Sequence, residues 1–130
     1  MRIVIYDAAE GGFLGLSWAA ASAVLSGADA RIAARSWDDA IGGLGALALR
    51  AGPPVDVQVW GHGAPGAPYI GGVALGSRLD AFAARLPAGS TVWWRSCDVH
   101  GGTAGHRFAA SVASRGLTSV GHCTVISWPN

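Results

Sequence analysis

Two side chains in this sequence have the chemistry of a nucleophile and its base, and each stands just past a short apolar run. His62 lies between Gly61 and Gly63 after Val57-Gln-Val-Trp60, and Cys97 lies between Ser96 and Asp98 after Thr91-Val-Trp-Trp-Arg95. A thiol attacks a carbonyl carbon as thiolate, so it needs an imidazole nearby to take its proton and later return it. If the two runs are neighbouring strands, these side chains meet at one edge although they are 35 positions apart in the chain. A helix that Thr103 is placed to cap would aim its amino terminus at the Cys97 loop and favour negative charge there. The flanking glycines let the main chain approach a substrate, and the amides of Gly63 and Cys97 are candidates to hold a developing oxyanion. Alone, His62 reads as a residue satisfying a carbonyl and Cys97 as a small buried hydrophobe. Their matching places at two strand ends favour a catalytic dyad.

Other chemistries fit less well. Cys97, His100, His106, His122 and Cys123 are enough donors for a metal, but His122 and Cys123 are adjacent and no second Cys-x-x-Cys or Cys-x-x-His clip exists, so no metal is expected. Glu10-Gly-Gly-Phe-Leu-Gly15 lacks the spacing of a dinucleotide loop. The six tryptophans, Trp93-Trp94 included, read as core rather than stacking platforms. The Gly/Pro segment 63–72 reads as a substrate flap or a long turn.

The elements that must position the dyad follow from periodicity. Strands are expected at Arg2–Tyr6, Ala30–Ala34, Val55–Trp60, Thr91–Arg95 and Thr118–Val120, with a last one at Thr124–Trp128. Between them run a helix with Leu14, Trp18, Ala21 and Leu25 on one face and a helix capped by Ser36 and led by Asp38 and Asp39. A third helix spans Ser77–Leu86, and a fourth begins at Thr103 and buries Phe108, Ala109 and Val112. Strand and helix alternate with connections too long for hairpins. The expected fold is therefore α/β, a three-layer sandwich whose mostly parallel sheet is flanked by helices. In such sheets the binding crevice lies at the carboxyl ends of the strands, which is where Tyr6, Trp60 and Arg95 deliver the chain.

Composition narrows the function classes. The 130 residues suit one domain, with 51 % hydrophobic and 13 % charged residues. Nine arginines are scattered singly, lysine is absent and the net charge is +1, which gives a nucleic acid nothing to grip. Cys97 and Cys123 read as thiols. Gly11 to Ala28 carries no charge, but Asp7 and Glu10 stand where a signal peptide wants cations. No membrane partner is expected, and the expected location is the cytoplasm.

The segments VWGHG (59–63) and VWWRSCD (92–98) resemble the signature of the caspase-like cysteine peptidases, in which His-Gly follows the third core strand and the cysteine follows the fourth. The stretches 61–75 and 96–116 are also similar to an uncharacterised caspase-like domain of large bacterial surface proteins. The resemblance implies a minimal caspase-like core, here over residues 1–130. It also implies His62 as general acid/base, Cys97 as nucleophile, the amides of Gly63 and Cys97 as oxyanion hole, a polypeptide substrate and no cofactor. Two residues before the cysteine, caspases carry glutamine and metacaspases an acid in the specificity pocket. Arg95 stands there in this chain. Because guanidinium binds carboxylate bidentately, Arg95 leads to the expectation of cleavage after acidic residues. Asp98 either borders the same pocket or pairs with Arg95 and closes it. The alternative to this enzyme is a catalytically inert interaction module of the same fold, and, for either, a homodimer through the C-terminal strand Thr124–Trp128 is a candidate assembly.

Overall fold

The computed structural model describes residues 1–24, 27–48, 50 and 52–124, apart from the side chains of Phe13, Leu14 and Ser22. Five strands form one sheet: β1 (Arg2–Asp7), β2 (Ala30–Ala34), β3 (Asp56–Trp60), β7 (Thr91–Arg95) and β8 (Thr118–Gly121). Their spatial order is β2-β1-β3-β7-β8, and every pairing is parallel. The helices are α1 (Gly12–Val24), α2 (Trp37–Ala48), α3 (Leu79–Ala83), which continues a 3-10 turn at Gly76–Arg78, and α4 (Gly102–Ala113). This is the expected α/β sandwich, with all five main strands parallel.

The two faces of the sheet differ. Ile3, Ile5, Val57, Val59, Val92 and Trp94 point to one side and build the main core with Trp37 and Leu44 of α2, Phe82 of α3, and Val112 of α4. Rings lock this layer together: Phe82 meets Trp37 edge-on at 6.1 Å and Trp94 at 5.7 Å, and Trp94 meets Phe108 at 5.1 Å. The other face carries Val4, Gln58, Trp60, Trp93 and Arg95, and α1 packs against β1 with Trp18 and Ala21 buried. Right-handed crossovers require this division. The chain moves from β1 outward to β2 through α1, then reverses to β3, β7 and β8 through α2, α3 and α4, so α1 lies opposite the rest.

Local details depart from sequence expectation in three places. Ser36 does cap α2, its Oγ accepting from the Asp39 amide at 3.1 Å while Asp39 accepts from the Arg35 amide at 3.0 Å. The fourth helix, by contrast, starts at Gly102 behind an extended Gly101, with Thr103 already inside its first turn. The segment after His62 is a small antiparallel meander of β4 (Gly63–Ala64), β5 (Ala67–Ile70) and β6 (Val73–Ala74). It is fastened rather than loose: Gly66 N–H donates to the Val99 carbonyl and the Trp37 indole N–H to the Val73 carbonyl. In place of the expected long helix over 77–86, the regular α-helical part is α3 alone. Leu25 and residues 125–128 of the expected last strand lie outside the described residues.

The uncharged stretch at 11–28 contains α1, whose Leu16 and Val24 are exposed. Among the described residues, no helix is long and apolar enough to cross a membrane.

Candidate active site at the sheet's switch point

Where a strand order reverses, the connections leaving two adjacent strands go to opposite faces, and a crevice opens at their carboxyl ends. Here that point lies between β1 and β3. His62 follows β3, and the loop Ala8–Gly11 follows β1.

The parallel register pairs Trp60 of β3 with Arg95 of β7. His62 and Cys97 each stand two residues beyond those partners, on the loops that leave the two strands. The backbones do meet there. A Cβ added to Gly63 would lie 2.6 Å from the Cys97 carbonyl oxygen, 2.7 Å from Val99 Cγ2 and 2.8 Å from Ser96 Cβ. Glycine at 63 is required by this approach, and the same contact places the His62 loop against the Cys97 loop. Gly61 has a similar role, since its Cβ would lie 2.6 Å from the Tyr69 carbonyl oxygen.

The imidazole of His62 is about half exposed. Its Nε2 lies 3.5 Å from Glu10 Oε2, an ion-pair separation, and its ring meets the edge of Trp18 at 5.0 Å and 78°. Glu10 and Trp18 both come from the β1–α1 segment. By sequence alone, Glu10 reads only as a charge against a signal peptide and Trp18 only as core. Nothing in the local pattern of either residue points at a histidine more than 40 positions away. That loop is itself anchored: Asp7, 1 % exposed, accepts from the Ala9 amide through Oδ1 and from the Gly71 amide through Oδ2, both at 2.9 Å.

Cys97 is half-buried, Cys123 is exposed, and both are thiols. The Cys97 loop is stitched to the segment after β8 by Asp98 N–H donating to the Thr124 carbonyl and His100 N–H to the His122 carbonyl, each at 3.0 Å. Asp98 has φ 54°, the one positive φ outside glycine among the described residues. Its carboxylate lies against Gly101 at the start of α4, where a side chain would collide with it. No ion pair joins it to Arg95, so the two do not close a pocket together.

Arg95 shares a face with Trp93, as alternation predicts, and lays its guanidinium 5.2 Å from the Trp93 ring centroid. Its Nε is buried without a hydrogen-bond partner, and so is the Oγ of Ser96. Arg95 also borders a cavity of about 80 Å³, lined with it by Trp93, Trp94, Val120, Gly121 and His122.

His100 is removed from the crevice. Its ring packs on Gly121, and its Nε2 is 2.9 Å from Ser119 Oγ, which also accepts from the Trp94 indole N–H at 3.0 Å. Burial pushes this imidazole below its ordinary value, and His106 and His122 nearby add to the effect. Among the described residues no group of three His, Cys, Asp or Glu side chains is placed to hold a metal ion.

No protein-family model matches the chain, and no curated protein or solved structure matches it either.

Proposed function

We propose that this chain is a minimal caspase-like cysteine endopeptidase. The observation that supports the reading is the place of His62 and Cys97, each two residues beyond the paired strand ends Trp60 and Arg95, with Gly63 pressed onto the Cys97 carbonyl. In the proposed reaction His62 takes the Cys97 proton and the thiolate attacks the scissile carbonyl carbon, so a C–S bond forms and the C=O becomes an oxyanion. The amides of Gly63 and Cys97 receive that charge. His62 then protonates the departing amine as the C–N bond breaks. Water attacks the thioester with His62 as base, and the thiol leaves with the proton.

The left-handed backbone of Asp98 supports the reading, since strain of this kind gathers at functional turns and costs on the order of 1 kcal/mol. Arg95 supports a preference for a small acidic residue before the scissile bond. The buried Nε of Arg95 lacks an acceptor, and the adjoining cavity has room for a carboxylate-sized group. Asp98, turned onto Gly101, has a turn-forming role in this scheme rather than a substrate contact. The homodimer expected through the C-terminal stretch Thr124–Trp128 would form by edge pairing of two such strands, and sedimentation as a strict monomer would remove that part.

Alkylation of the two thiols tests the chemistry. Exposure alone favours Cys123, so faster labelling of the half-buried Cys97 at neutral pH, lost in His62→Ala, is the expected outcome. Slow labelling of Cys97 that ignores His62 would leave an inert module of the same fold. A peptide library cleaved equally after acidic and basic residues would remove the role of Arg95.

A further inference from the structure

We infer that Glu10 is a positioning residue for His62, so that the β1–α1 loop supplies a third member of the site; this rests on the cysteine peptidase reading. Ionised, the Glu10 carboxylate accepts hydrogen bonds and donates none, so its approach to Nε2 favours a proton on that nitrogen whether the ring is neutral or charged. The lone pair of the neutral ring is then left on Nδ1, which becomes the atom that exchanges a proton with the thiol.

His62 needs such a partner. Its side chain is 51 % exposed, and apart from the Trp18 edge little packing selects one ring orientation. Glu10 is well suited to the task because the fold holds its backbone. Asp7 clamps the start of the loop through two amides, and α1 begins so close that a side chain at Gly15 would collide with the Glu10 carbonyl. Of the two acids in this loop, Asp7 has both oxygens engaged with amides, whereas the Glu10 carboxylate is turned to the imidazole. The position is fixed by topology: β1 and β3 are neighbours at the switch point, so the loops leaving them share one crevice.

The test measures the rate of Cys97 alkylation by iodoacetamide at pH 7 in a Cys123→Ser background, with circular dichroism confirming the fold of each variant. Glu10→Ala is expected to slow labelling about three- to fivefold, the scale of a partly exposed charge pair. Glu10→Gln is expected to recover most of that loss, because its amide oxygen still accepts from Nε2. His62→Ala is expected to slow labelling more, with Glu10→Ala adding nothing in that background. An unchanged or faster rate in Glu10→Ala overturns the inference, as does a loss that persists in the His62→Ala background. If His62→Ala itself leaves the rate unchanged, the dyad falls and the role of Glu10 falls with it. If His62→Ala slows labelling and Glu10→Ala does not, Glu10 alone is rejected.

Discussion

Gly63→Ala puts the contact between the two loops to a direct test. The backbone φ at this position is outside the left-handed region, so alanine meets no conformational penalty and the whole effect comes from space. The new methyl would stand 2.6 Å from a carbonyl oxygen and under 3 Å from Val99 Cγ2 and the Ser96 Cβ, none of which is the end of a flexible side chain. Overpacking of this kind costs about 1–3 kcal/mol, offset by about 0.4–1 kcal/mol from the less flexible unfolded chain. The net loss expected is about 1–2 kcal/mol. With an unfolding entropy of about 2.1 cal/mol/K per residue, that lowers Tm by about 4–7 °C in a domain of this size. Calorimetry reads the shift. Cys97 alkylation reads the second consequence, a slower reaction as the His62 loop is pushed away from the thiol. A variant with the parent Tm and the parent labelling rate would refute the contact, and with it the approach of the His62 loop to the Cys97 loop.

Gly42→Ala should move the other way: position 42 is an exposed helical site in α2 with open space around it, so the gain is about 0.8–1 kcal/mol, seen as a Tm raised by about 3 °C. Asp7→Ala should cost about 2–3 kcal/mol in urea unfolding by leaving the Ala9 and Gly71 amides without their acceptor; wild-type stability would show that the carboxylate is not a clamp. His100 should make the fold sensitive to acid. Its folded value lies below the ordinary 6.5, so its neutral form is favoured in the native state and the unfolded chain takes up the proton first. Stability is therefore full above about pH 6.5 and declines as pH falls below it. His100→Gln, which keeps an acceptor for Ser119, should flatten the change in urea midpoint between about pH 7.5 and 5.5; an unaltered slope would assign the effect elsewhere.

The sheet was legible because its strands are largely apolar runs of four to six residues followed by turn or capping residues, and the connections suit parallel crossovers rather than hairpins. Ser36 with Asp39 announced the start of α2 for a similar local reason: a cap is a hydrogen bond between residues three apart. The meander after His62 was not legible. Its strands are two to four residues long, too short for alternation to register, and it is held by the carbonyl of Val99 and the indole of Trp37 from distant parts of the chain.

The sequence by itself determined that His62 and Cys97 follow two strands of a parallel α/β sheet, since that depends on local periodicity and connection length. Only the tertiary structure decided that β1 and β3 are neighbours, that Glu10 and Trp18 therefore flank His62, that Asp98 turns to Gly101 rather than to Arg95, and that His100 is held by Ser119. Those contacts join residues up to 52 positions apart, and strand order, which no local pattern encodes, sets who meets whom.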